Sequence, residues 1–159
     1  GRGAGSSLTT SGDCIAIGHY ALTNNTAGQN VAIGHATGES LSTGTNNVLI
    51  GRRTAKDSSL LSESVVIGDS ACYTSPSSNY SGDNNIVIGF NAQPSSLTAS
   101  NEITIGNLNT DRLRLPGSLP AFADDAAAGA GGILTHMLYQ TDGAGAAPLN
   151  VAGIVMIKQ

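Results

Sequence analysis

The 159-residue chain has no tryptophan and only two phenylalanines and four tyrosines. Aromatic rings contribute the largest burial per residue, so an ordinary aromatic-anchored core is excluded. Charge is scarce too: Asp, Glu, Lys and Arg make up 11% of the residues, against about 25% in an average domain. The net charge is −4, and Arg52 and Arg53 are the only adjacent basic pair. A nucleic-acid binder needs a basic footprint, so nucleic acid is excluded as a partner. No apolar run is long enough for a membrane helix, so no membrane insertion is expected. The start, GRGAGSS, shows no basic-then-apolar leader and no initiator Met, which leads us to expect a fragment or a processed chain. Cys14 and Cys72 have neither metal spacing nor a disulfide framework, and read as small buried hydrophobes.

Known chemical motifs are equally sparse. GRGAGS lacks the third glycine and the preceding strand of a dinucleotide site. GxSxG and HExxH are absent, as are the six-residue acyltransferase repeat and the calcium-binding nonapeptide. The carboxylates are scattered. Asp124 and Asp125 are adjacent and would diverge by about 100° on a helix, so they suit capping better than a glycosidase pair. No enzyme and no cofactor is expected.

What the chain does have is small polar residues: Gly, Ser, Thr and Asn supply 66 of the 159. With 40% apolar residues and a mean hydropathy of +0.02, it is not the apolar-poor composition of a disordered chain. Repetition reconciles the two. A pentapeptide, polar or small residue–Ile/Val–any–Ile–Gly, recurs as CIAIG, NVAIG, NVLIG, SVVIG, NIVIG and EITIG. Its glycines fall at 18, 34, 51, 68, 89 and 106, giving steps of 16, 17, 17, 21 and 17. Five copies carry an alanine two to four residues on: Ala21, Ala36, Ala55, Ala71 and Ala92.

Residues i and i+2 of a strand share a face. The pairs Ile15/Ile17, Val31/Ile33, Val48/Ile50, Val65/Ile67, Ile86/Ile88 and Ile103/Ile105 therefore line one side, and the middle residue points to the other. Glycine ends each strand at a tight bend. The intervening stretches, such as NNTAGQN and PSSNYSGDNN, are turn-rich. Each repeat reads as a short β-coil stacked on the next. Twelve such Ile and Val side chains are too few to offset the entropy of ordering the coils. Three copies sharing these residues around an axis would supply the missing core, so an obligate homotrimer with these twelve residues at its centre is expected.

The N-x-A-I-G-x-x-A repeat is similar to the head repeats of trimeric autotransporter adhesins. It resembles more closely the repeats of bacteriophage tail fibres and related virion fibre proteins, cyanophage types in particular. NVAIGHATG (30–38), NEITIGNLNTDRLRLPG (101–117) and the segment 122–159 carry that resemblance. It implies a trimeric fibre on the tail or capsid exterior of a virion. Its partners would be other virion proteins, met through a missing N-terminal part, and a bacterial surface glycan or protein. Adhesin head repeats are shorter and more regular than these, which leaves a looser stacked coil as open as a strict β-roll.

After Gly106 the pattern stops. Leu113 and Leu115 suggest one more alternating strand, then Pro116, Gly117 and Pro120 mark a break. Helical turns are expected at 124–128, where Asp124 and Asp125 precede alanines. Strands are expected at 133–140 and 151–158. The expected fold is therefore mainly β: a shaft of six repeats over 8–115 and a small α+β tip over 116–159.

Three groups are candidate sites. His19 and His35 both follow a repeat glycine and could meet on adjacent turns, but Arg52, Asp69, Phe90 and Asn107 hold the same position elsewhere, the variability of a solvated face. His136, in the tip, could meet its copies on a threefold axis. Neither arrangement outweighs a bland reading, and no metal is expected. Tyr73 and Tyr80 lie in the longest inter-repeat loop, 69–84, where amphipathic rings suit receptor binding; the alternative is that they pack over a neighbouring rung. The function expected is a structural virion fibre, a tail fibre or spike serving host-surface adsorption. A capsid fibre or decoration protein, a bacterial adhesin head and, more remotely, a polysaccharide depolymerase are the alternatives.

Overall fold

A computed structural model describes residues 1–8, 12–73, 79–110, 121–122, 138–141 and 155–157. The chain divides into two compact units, Gly1–Asp111 and Arg112–Gln159. The first is a parallel β-solenoid. Its strands are β1 (Ile15–Ile17), β2 (Val31–Ile33), β3 (Val48–Ile50), β4 (Val65–Ile67), β5 (Ile86–Ile88) and β6 (Ile103–Ile105). They form one sheet in the order β1-β2-β3-β4-β5-β6. Each pairs in register with the next, so Ile15, Val31, Val48, Val65, Ile86 and Ile103 form one column. No helix occurs among the described residues of this unit.

The middle residue of each strand points into the coil. Ala32, Leu49, Val66 and Val87 are fully buried, with Ala16 and Thr104 half-buried at the two ends. The inter-strand stretches supply the other wall: Ala21, Leu22, Leu41, Ala55, Leu61, Ala71, Cys72, Tyr80 and Ala92 join the same cluster. This corrects the expectation that the Ile and Val pairs would be the chain's main core. Each coil has an interior of its own, built from residues scattered through polar sequence.

A hydrogen-bonded ladder runs through that interior at the position just before each strand from β2 to β6. The Asn30 Oδ1 accepts from the backbone N–H and the side-chain amide of Asn47, both at 3.0 Å. The Asn47 Oδ1 accepts from the Ser64 N–H at 3.1 Å, the Ser64 hydroxyl from the Asn85 N–H at 3.1 Å, and the Asn85 Oδ1 from the Glu102 N–H at 2.9 Å. Asn30, Asn47 and Asn85 also donate to the carbonyls of Gly44, Leu61 and Ala99 at 2.7–2.8 Å. Buried amides need such partners, and stacking three of them with Ser64 gives these partners from rung to rung.

Corners are set by left-handed backbone. The residue two before each strand (Asp13, Gln29, Asn46, Glu63, Asn84, Asn101) has φ between 54° and 65°. Such residues cost about 1–2 kcal/mol each, offset by bonds between rungs such as Glu63 N–H to Thr45 C=O at 2.9 Å. At the strand ends glycine is required twice over. Gly51 has φ +133°, and a Cβ there would sit 2.6 Å from the Gly68 carbonyl oxygen. The third residue after the glycine faces inward as Ala21, Thr37, Thr54, Ala71 and Ala92, all buried. Thr37 and Thr54 satisfy their hydroxyls on the Gly51 and Gly68 carbonyls.

The solenoid starts earlier than residue 8. Tyr20 N–H donates to the Arg2 carbonyl at 3.0 Å and Gly5 N–H to the Ala21 carbonyl at 2.9 Å. Gly1–Ala4 thus stack on Gly18–Ala21 as the corner of one more coil, which GRGA conceals because the strand motif is not visible there. In the second unit, β7 (Ala121–Phe122), β8 (Leu138–Thr141) and β9 (Val155–Ile157) form a sheet. β7 and β8 are parallel, and β8 and β9 antiparallel. The strand expected around Leu113 and Leu115 and the helical turns at 124–128 lie outside the described residues.

Candidate functional site

The Ile and Val pairs lie on the outer face of the sheet. Ile103 is 69% exposed, Ile17 57% and Ile88 38%. Ile15, Ile33, Ile86 and Ile105 are exposed as well, while Val31, Val48, Ile50, Val65 and Ile67 are half-buried. Strand pairing spaces the rungs at about 4.8 Å, so the six rungs make a strip roughly 24 Å long and two side chains wide. β-branched side chains suit this surface because their χ1 is already restricted. Solvent-facing sheet positions are ordinarily polar; here every one is apolar.

Both margins of the strip are polar or charged, with one exception. Before the strands, Asp13, Gln29, Asn46, Glu63, Asn84 and Asn101 are exposed, and the Asn84 amide donates to the Asn101 side chain at 2.8 Å. After the strand-end glycines come Arg2, His19, His35, Arg52, Asp69, Phe90 and Asn107. The His19 and His35 rings stack at 5.2 Å between centroids. Arg52 Nε donates to Asp69 at 3.0 Å. The Ser70 hydroxyl, with Arg52 second, holds the Asp69 carboxyl below its ordinary range. Phe90 is the exception, 68% exposed.

The two tyrosines of the long loop part company. Tyr80 is 6% exposed and belongs to the core cluster. Its hydroxyl donates to the Gln93 Oε1 at 2.5 Å, and burial, with Cys72 second, pushes its ionisation up to about 12. A ring so placed offers no face to a receptor; it fills the coil widened by the 21-residue step. Tyr73 is half-buried, with the Lys56 ammonium 5.8 Å from its ring centroid. Gln93 ties the loop down, donating to the carbonyls of Ser70 and Tyr73 at 3.2 and 3.1 Å. Sequence reasoning missed Gln93, since a lone glutamine in a polar stretch carries no signal.

Reactive chemistry finds little footing. No cluster of three or more metal-ligating side chains occurs among the described residues. His136, Asp124 and Asp125 lie outside the described residues. An open hollow beside β6 is lined by Pro94, Thr104, Asn107 and Leu108 among others, with no carboxylate, imidazole, thiol or amine in its wall. Among the described residues no helix is long and apolar enough to cross a membrane. Cys72 is buried, and burial, with Glu102 second, pushes its thiol up to about 12. The apolar ladder is therefore the candidate site. No protein-family model, curated protein or solved structure matches the chain.

Proposed function

We propose that the chain is a structural segment of a virion fibre, a tail fibre or spike that works as a homotrimer and carries adsorption to a bacterial surface. One observation carries the reading: twelve Ile and Val side chains stand outside a coil that already has an interior of its own. They are surplus to the folding of one chain. Exposed β-branched ladders are aggregation hazards unless something covers them. Covering the ladder stabilises by about 1 kcal/mol per half-exposed side chain, on the order of 10 kcal/mol per chain before the cost of association.

Three copies suit the strip better than two. A twofold dimer pairs identical patches and would press two strips flat against each other, leaving their outer margins uncovered. Cyclic threefold packing keeps all chains parallel, as a shaft with one base and one tip requires, and a strip two side chains wide makes one side of a triangular core. The resemblance of the repeats and of segment 122–159 to phage fibre proteins supports placement on a virion. Function would then be geometric: a stiff shaft presents loops in three copies, and weak contacts add by multivalency. The test is the solution mass of the chain by sedimentation equilibrium over a dilution series. A stable trimer is expected; a well-folded monomer at every concentration would overturn the proposal.

A further inference from the structure

Basic side chains are few in the solenoid, and they are not dispersed. Arg2, His19, His35 and Arg52 occupy the same position on four successive coils. Their backbones are locked rung to rung: the Arg2, His19 and His35 carbonyls accept from the N–H groups of Tyr20, Ala36 and Arg53 at 2.8–3.0 Å. The column thus places four cationic or protonatable groups about 4.8 Å apart. Arg53 sits beside it, one residue further along the corner. Every arginine and histidine of the described solenoid therefore lies at this one corner, on a chain whose net charge is −4. Among the described residues neither Arg2 nor Arg53 has a carboxylate within ion-pair distance, and Arg52 has Asp69.

From this placement we infer a binding site for a linear, carboxylate-bearing glycan along the column Arg2–His19–His35–Arg52. Guanidinium groups match carboxylates in shape as well as charge, and stacked imidazoles donate from their exposed edges. A row of like charges at rung spacing suits an extended polymer rather than a single small anion. The Tyr20 ring lies 3.9 Å from that of His19, an aromatic surface against which a sugar ring packs. That feature favours a glycan over a bare phosphate chain. Flanking arginines also disfavour a divalent metal at the histidine pair, despite its close stacking.

The groups facing the histidines are Arg2 and Arg52 above and below, with Arg53 and Tyr20 alongside; Asp69, beyond Arg52, is the column's one acid.

The probe is polygalacturonate, its binding to the full chain measured by biolayer interferometry at pH 7.5, with dextran as the neutral control. Loss of two exposed ion pairs predicts binding about tenfold weaker for the Arg2→Gln/Arg52→Gln double variant. The His19→Ala/His35→Ala double variant, which removes the stacked rings, should bind more weakly as well. Circular dichroism melts would confirm that these exposed or half-buried substitutions leave the coil intact. Absence of binding, equal binding of dextran, or double variants that bind as tightly as the native chain would each overturn the inference. Tighter binding of inorganic polyphosphate than of polygalacturonate would overturn the assignment to a glycan.

Discussion

Asn47 is the rung of the internal ladder whose removal should be felt most. Its Oδ1 accepts from the Ser64 N–H at 3.1 Å, and its amide donates to the Leu61 carbonyl at 2.7 Å. Ser64 and Leu61 are both buried, so water does not replace the lost partner. Asn47→Ala leaves two buried backbone groups unpaired at about 1–3 kcal/mol each, a loss near 4 kcal/mol. For a unit of this size that corresponds to roughly 15 °C in Tm. Its neighbour is the control: Asn46 is exposed and has φ 60°, so Asn46→Ala loses left-handed preference and one long exposed bond to Thr45, about 1 kcal/mol. The assay is urea unfolding followed by far-UV circular dichroism, at one protein concentration because association shifts apparent stability. A loss below about 1 kcal/mol for Asn47→Ala, or equal losses for the two variants, would refute the ladder as a source of stability.

Three further outcomes follow from the same structure. Ser64 is the short rung: its hydroxyl accepts from the Asn85 N–H but donates to Ser62 C=O at 2.8 Å, so it lacks the amide that Asn47 and Asn85 donate to a carbonyl of the next coil. Ser64→Asn should reach the Gly82 carbonyl and raise stability by about 1 kcal/mol, read as a higher urea midpoint; a lower midpoint would contradict the geometry. With a thiol reagent at pH 8, the native chain should label at half-buried Cys14 and not at Cys72, whose burial pushes it up to about 12; Cys72 should react only after unfolding. The Ser95 hydroxyl, then the Thr104 hydroxyl and the Ser95 N–H, hold Glu102 below its ordinary range. Its folded value lies under the unfolded one, so its contribution is present above about pH 4.3 and lost as pH falls through the folded value. Glu102→Gln should therefore flatten the acid limb of stability against pH, and an unchanged slope would count against those bonds.

The strands were legible because period 2 and the recurring glycine act together over three residues: all six lie within the recurring pentapeptides. The side shared by Ile15/Ile17 and their counterparts was legible for the same reason. The interior was not. Leu41, Leu61 and Tyr80 are isolated apolar residues in polar stretches, and their partners lie one coil away rather than a few residues along. The position before each strand looked merely polar or small, and only stacking turns Asn30, Asn47, Ser64 and Asn85 into a continuous ladder. Tyr80, an amphipathic ring in the longest loop, has the sequence signature of a binding residue, yet the extra length is what lets the ring fold back into the coil. Gly1 and Ala4 escaped notice because a coil corner without its strand leaves no periodic trace.

The central claim is that the outward Ile and Val ladder is buried between copies of the chain. Its most direct test is sedimentation equilibrium of the native chain beside an Ile33→Asp/Ile67→Asp variant, which charges the ladder on two rungs without touching the coil's interior. The account predicts a trimer for the native chain and a monomer with an unchanged circular dichroism spectrum for the variant. A variant that remains trimeric, or a native chain that is monomeric, would contradict it.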